Sequence, residues 1–161
     1  MPSANPKASR PKVPEYGLEP ARRAADLLPW KWAVQRLTRS RTYLLSTTRP
    51  DGSPHAMPIW GIWLGSAFYF STGRESRKAR NLARNPRCVV TTDDLEELVV
   101  IEGAVEEVKD AALLKRLGRT YKTKYEYGLD PKLQPVFAVL PRVAYGLAEK
   151  KFTKTFTRWQ F

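Results

Sequence analysis

The stretch Ser71-Thr72-Gly73-Arg74-Glu75-Ser76-Arg77-Lys78-Ala79-Arg80-Asn81-Leu82-Ala83-Arg84-Asn85-Pro86-Arg87 joins two apolar runs, 67–70 and 88–90, through a segment dense in arginine and lysine. Thr72 and Glu75 have the spacing of a capping box, and Asn85-Pro86 is a stop, so a helix is predicted over 73–85. At helical spacing, residues 74, 77, 78 and 81 share one face, while Ala79, Leu82 and Ala83 form the face that packs. Cations in the first turns oppose the helix macrodipole, at a cost of roughly 0.3 to 1 kcal/mol each where exposed. A bound anion resolves this conflict, because the free N–H groups, the hydroxyls of Ser71, Thr72 and Ser76, and the Arg77 and Lys78 side chains converge on one point. The same pattern also reads as a solvated basic face, and spacing alone leaves both readings open.

Outward from this helix the period changes to two. Residues 42–48 read as a strand running into the Pro50-Asp51-Gly52 turn. The next strand, 53–63, carries Pro54 and Pro58, which donate no ladder hydrogen bonds and mark an edge, a bulge or the approach of something other than a strand. Gly65-Ser66 then turns the chain into 67–72. Downstream, 87–92 and 97–108 are strands around Asp93-Asp94. Asp110 caps a helix with Leu113, Leu114, Leu117 and Tyr121 on its apolar face, ended by Gly128 and Pro131. Residues 136–140, 143–148 and 155–161 are the last strands, with Pro135 and Pro141 at the starts of the first two. On the N-terminal side, Pro20 opens a short helix over 21–28, Pro29 interrupts it, and a second helix over 30–39 aligns Trp30, Ala33, Val34 and Leu37. Short antiparallel strands with interposed helices describe a mainly β fold, a barrel with helical decoration.

The chain length of 161 residues fits one domain, and 42% hydrophobic residues with 11% aromatics supply a core. Residues 1–19, with Pro2, Pro6, Pro11 and Pro14 among Lys7, Arg10 and Lys12, read as a flexible basic tail or an arm ordered only by a neighbour, leaving 20–161 as the single domain. No internal repeat is present. No apolar run approaches the roughly 20 residues of a membrane span, and Cys88, the single cysteine, has no internal disulfide partner. A soluble, cytoplasmic protein without a secretory signal is expected. The formal charge of +12, from 28 Lys and Arg against 16 Asp and Glu, points to an anionic partner: nucleic acid, acidic lipid or a phosphorylated small molecule.

Ser76-Arg77-Lys78-Ala79-Arg80-Asn81-Leu82, followed by Asn85-Pro86-Arg87 and an apolar strand, resembles the pyridoxamine 5'-phosphate oxidase-like split-barrel flavoproteins and their deazaflavin (F420)-using relatives. Residues 48–55 are similar to the first hairpin of that family, 100–105 to a later strand, and 157–161 to the C-terminus of its actinobacterial members. The resemblance covers residues 28–161 in order. It implies a six-stranded antiparallel split β-barrel of Greek-key type with peripheral helices, a homodimer with the cofactor at the subunit interface. It also implies that Ser76, Arg77 and Lys78 grip the cofactor phosphate beside Ser71 and Thr72, and that Ala56, Met57, Pro58, Ile59, Trp60 and Gly61 run along the ring of FMN or F420. Ala56 stands where the true oxidase has a phosphate-binding arginine, and Leu98 where it has a ring-contacting glutamine. Vitamin B6 oxidation is therefore not expected. The implied activity is hydride transfer between the cofactor and a small unsaturated or quinone-like substrate.

No catalytic acid or base is assigned, and no metal site is expected. His55 precedes the cofactor strand but reads first as a strand histidine, Tyr121 and Tyr125 read first as packing, and Cys88 as a small buried hydrophobe. Two other classes stand beside the oxidoreductase. A basic nucleic-acid-binding barrel would use Lys115, Arg116, Arg119, Lys122 and Lys124, though no strand alternates aromatic and basic residues, so nucleic acid is not the expected partner. A non-catalytic flavin- or haem-binding split barrel is the other.

Overall fold

The computed structural model describes residues 5–161. Nine strands form one mixed-length antiparallel sheet: β1 (Lys7–Ser9), β2 (Tyr43–Thr48), β3 (Pro54–Ile59), β4 (Ile62–Leu64), β5 (Ala67–Ser71), β6 (Arg87–Thr92), β7 (Glu97–Glu107), β8 (Val136–Ala148) and β9 (Thr157–Gln160). Helices α1 (Trp30–Arg39), α2 (Arg77–Arg84), α3 (Ala111–Tyr125) and the short α4 (Phe152–Thr155) lie between them. The hydrogen-bonded path runs β1-β9-β8-β7-β6-β2-β3, with β5 joining β8 and β4 joining β5. The N-terminal half of β8 pairs with β5 and its C-terminal half with β9. One long strand thereby serves two edges.

The main core lies inside this sheet, where Leu45, Phe68, Phe70, Val90, Ile101, Val139 and Trp159 are nearly or wholly without solvent contact. Helix α1 closes it with Ala33 and Leu37, and Trp30 packs edge-on against Trp63, Trp159 and Phe161. A second cluster places Leu117, Tyr121 and Tyr125 of α3 against Ile62, Ala67, Tyr69 and Ala138, on the other face of β4, β5 and β8. The alternation of faces along β5 explains both: Phe68 and Phe70 point one way, Ala67 and Tyr69 the other.

Several sequence expectations are corrected. The eight segments read as strands correspond to eight of the nine strands among the described residues, β1 being the addition, but the predicted strand 53–63 is two. It breaks at Trp60-Gly61, where a β-carbon on Gly61 would lie 2.2 Å from the Phe68 ring. Conversely, the predicted strands 136–140 and 143–148 are one. Pro141 is accommodated by a shift of register between Glu102 and Gly103, and a β-carbon on Gly103 would lie 2.4 Å from the Leu140 carbonyl oxygen. The helix expected over 21–28 reduces to a 3-10 turn at Ala24–Asp26, where the Asp26 carboxylate accepts from the N–H groups of Arg22 and Arg23. The final strand begins at Thr157, after α4.

In the N-terminal segment, read from the sequence as a flexible basic tail or an arm ordered only by a neighbour, the described part includes a paired strand. Lys7, Ala8 and Ser9 pair with Gln160, Trp159 and Arg158, and the Arg10 guanidinium donates to the carbonyls of Glu19, Asp26, Lys154 and Phe156. Four of the five donors of that rigid fork satisfy carbonyls from three segments at once. Pro2 lies outside the described residues.

Candidate functional site

Helix α2 starts at Arg77, later than the Thr72–Glu75 spacing predicts. Ser76 is its cap: its Oγ accepts from the Ala79 N–H at 3.2 Å and lies 3.1 Å from the Thr72 hydroxyl. Arg77 and Lys78 therefore occupy the first turn, where backbone N–H groups have no intrahelical partner. The other two residues of the predicted cationic face are elsewhere. Arg74 precedes the helix and forks onto the Glu107 carboxylate at 2.7 and 3.1 Å. Asn81 is buried and donates to Thr47 Oγ1 at 3.0 Å, which docks α2 on β2, while Ala83, expected to pack, is exposed.

That dock brings the helix to β3. Thr47 pairs across the ladder with His55, and its Oγ1 lies 3.4 Å from His55 Nδ1. The His55 pKa is held below the usual histidine range, first by loss of hydration and then by the positive charges of Arg49, Lys78 and Arg77. Three cations from the β2–β3 turn and α2 thus act on one side chain of β3. Among the described residues, none of Arg49, Arg77 and Lys78 makes an ion pair. Asp51, which feels Arg49, commits its carboxylate to the N–H and hydroxyl of Ser53. Arg49 is not among the residues selected from the sequence, where it falls only within the 48–55 hairpin.

Beside this cluster β3 is open. Ala56, Met57 and Pro58 are exposed, so both faces of the strand meet solvent, and only Ile59 is buried. Met57 and Trp60 are each 44% exposed, and Leu44, opposite Pro58, is 43% exposed. Trp60 lies flat on Tyr125, with ring centroids 4.8 Å apart and 7° between planes. Of the sequence-selected residues, the structure therefore gathers Thr72, Ser76, Arg77 and Lys78 at the helix start and sets out 56–61 along an adjoining edge. Ser71 departs from this group, because its hydroxyl donates to the carbonyls of Gln134 and Pro135. A groove of about 410 Å³ along Ser46, Arg87, Glu102 and Arg142 contains none of these residues.

Gly61 ends the exposed edge, and α3 holds it. The Tyr125 hydroxyl accepts from Gly61 N–H at 2.9 Å and lies 2.7 Å from both the Gly61 and Arg41 carbonyls. The Lys124 ammonium donates to Gly61 O at 3.1 Å and to Tyr43 OH at 2.8 Å. No periodicity announces this latch, since Tyr121, Lys124 and Tyr125 read as an ordinary helix flank. Burial pulls the Lys124 pKa down to about 8, with Asp93 opposing and Arg41 reinforcing the shift.

The lowered value has a sign that can be checked. Between about pH 8 and pH 10 the unfolded chain holds a proton on Lys124 that the folded chain has released, so this group makes stability rise with pH. The buried tyrosines, whose pKa values are raised, oppose it only above about pH 10. Chemical denaturation at pH 7, 8, 9 and 10 is expected to show that rise in the parent protein and a flatter profile in Lys124→Met. Parallel profiles would remove Lys124 as its source.

Cys88 is buried on β6 and its thiol is pushed up to about 12 by desolvation, which makes it a packing residue. No helix among the described residues is long and apolar enough to cross a membrane.

An antiparallel sheet that exposes a proline-bearing edge strand next to a cationic helix start defines a small β protein with an open, positively charged edge. Residues 31–145 match the family model for pyridoxamine 5'-phosphate oxidase, and the chain belongs to that family. A pyridoxine/pyridoxamine 5'-phosphate oxidase from Porphyromonas gingivalis is 28% identical over 131 residues, covering 70% of this chain. The match spans 59% of that relative's length. Among solved structures, a conserved hypothetical protein from Mycobacterium tuberculosis aligns with a TM-score of 0.68 at 23% identity, over 81% of this chain and 91% of its own. A structure described as F420 reductase aligns at 0.57 and 24% identity, over 68% and 93%. A FAD-binding protein from Mesorhizobium loti aligns at 0.58 and 19%, over 83% and 96%. These three share the fold.

Proposed function

We propose that this protein is an oxidoreductase that uses FMN or coenzyme F420, with the cofactor phosphate on Ser76, Arg77 and Lys78 and the ring along residues 56–61. The observation that carries the reading is the junction itself: an unneutralised pair of cations at a helix start, docked through Asn81 and Thr47 beside a strand open on both faces. A phosphate and a flat ring need those two features side by side. The relatives support the choice of ligand, since one neighbour is described as an F420 reductase and another as FAD-binding.

The residues present fit such a group. The N–H groups of the first α2 turn and the side chains of Arg77 and Lys78 bind the phosphate, with the Thr72–Ser76 hydroxyl pair fixing the cap beneath it. Pro54 and Pro58 leave the outer side of β3 free of N–H groups at two positions, which suits a ring in place of a neighbouring strand. The bound cofactor would supply hydride chemistry toward a small unsaturated or quinone-like substrate. The chain supplies orientation, and Trp60 walls the far end of the strand. Because the site is open on a single chain, a second copy would exclude water from it, with a homodimer as the active species of this proposal.

His55 is the only histidine and therefore a built-in reporter. In the free protein its NMR titration is expected below 6.5, the value of an unshifted ring, and to move upward when FMN or F420 places a phosphate against Arg77 and Lys78. A visible-absorption titration run in parallel measures binding itself. Absence of binding of either cofactor at micromolar levels would overturn the proposal, and binding without a change at His55 would move the phosphate away from α2.

A further inference from the structure

A second groove, about 390 Å³, runs between α1 and α3 and includes none of the residues assigned above to the cofactor. That volume lies within the roughly 300 to 1,000 Å³ of small-ligand sites. Ile62 and Trp63 of β4 line it, Arg119 and Lys124 bring positive charge, and Thr38, Thr120 and Thr123 complete it. No carboxylate is among these lining residues.

Each of the three threonines donates its hydroxyl back to the carbonyl four residues earlier, at Val34, Arg116 and Arg119. They add no donors of their own, so the donors left are the two cations. Lys124 is half-buried, and the partners of its ammonium, Tyr43 OH and Gly61 O, are both neutral. Arg119 is exposed and forms no ion pair among the described residues. Trp63 is buried, and its indole N–H has no acceptor. Desolvated or unpaired donors beside an apolar wall are what an anion with an apolar body satisfies.

We infer that this groove is a second ligand site, taking a small amphipathic anion whose phosphate or carboxylate head meets Arg119 and Lys124 and whose flat body lies on Ile62 and Trp63. The site is independent of the cofactor reading. The groups facing Lys124 set its pH range: Tyr43 on β2, Arg41 just before it, Asp93 in the turn after β6, and Tyr125 on its own helix. Ligand affinity should fall as pH rises past about 8 and the lysine loses its proton.

Calorimetric titration of the full chain with phenyl phosphate, with inorganic phosphate in parallel, tests this. In Arg77→Gln, where the phosphate site proposed on α2 is weakened, phenyl phosphate is expected still to bind, more tightly than inorganic phosphate, and to lose about tenfold or more in affinity when Arg119→Gln is added. Arg119 is on the surface, so its replacement leaves folding intact, which an unchanged Tm verifies. Affinity should also drop between pH 7 and pH 9, and that drop should vanish in Lys124→Met. Unchanged affinity on adding Arg119→Gln, or no binding in the Arg77→Gln background, would each overturn the inference. Equal affinity for the two phosphates would overturn the amphipathic ligand.

Discussion

Replacing Arg77 and Lys78 together by alanine is expected to weaken FMN or F420 binding by roughly 3 to 6 kcal/mol, taking about 1.5 to 3 kcal/mol for each charged hydrogen bond. The loss should appear as a right-shifted visible-absorption titration, with the far-ultraviolet dichroism unchanged. Neither side chain makes an ion pair among the described residues, so removing them leaves no partner stranded. Removing two cations from a first helical turn even relieves the macrodipole. Arg74 supplies the control. It stands three residues away in sequence and shares the same charge, but its guanidinium is forked onto Glu107. Arg74→Ala should therefore leave cofactor affinity nearly untouched. Equal losses in the two variants would mean that diffuse charge, not the helix start, attracts the anion.

That contrast shows where sequence reading reached and where it stopped. Strands 43–48 and 87–92 and helix 30–39 follow from periodicity, because their buried faces repeat at regular intervals within one element. The helix carrying Arg77 and Lys78 was legible in place but not in phase. Thr72 and Glu75 satisfy the capping-box pattern, yet Ser76 satisfies the geometry, and the shift takes Arg74 out of the helix. Asn81 looked like a member of the polar face, and only the position of Thr47, 34 residues away, shows why it is buried. Likewise Lys124 belongs to a latch with Tyr43 and Gly61, separated from it by 81 and 63 residues. Contacts made across such distances leave no local signature. The family resemblance carried the candidate residues in order, but it gave no hint that Ser71 would turn its hydroxyl to the carbonyls at 134 and 135.

Gly61→Ala is expected to produce the largest stability loss among the surface-adjacent site residues, at least the roughly 1 to 3 kcal/mol of an overpacked core. At about 2 to 4 °C per kcal/mol for a chain of this size, the loss lowers Tm by several degrees. The added β-carbon would lie 2.2 Å from one ring carbon of Phe68 and within 2.9 Å of two more. Phe68 cannot retreat, because it is fully buried, edge-on to Tyr43 at 4.6 Å and stacked with Phe70. The backbone of residue 61 must yield instead, and there it meets Tyr125 and Lys124, which hold both its N–H and its carbonyl. Trp60 would move with it, so the variant should also show altered tryptophan fluorescence and a weaker hold on any ring lying along 56–61. Gly118→Ala on α3 is the matched comparison, since nothing lies within 4 Å of a β-carbon there and the same change inside a helix stabilises by roughly 0.5 to 1 kcal/mol. If the two variants melt alike, the break between β3 and β4 does not depend on the missing side chain, and the latch from α3 alone must set the end of the open strand.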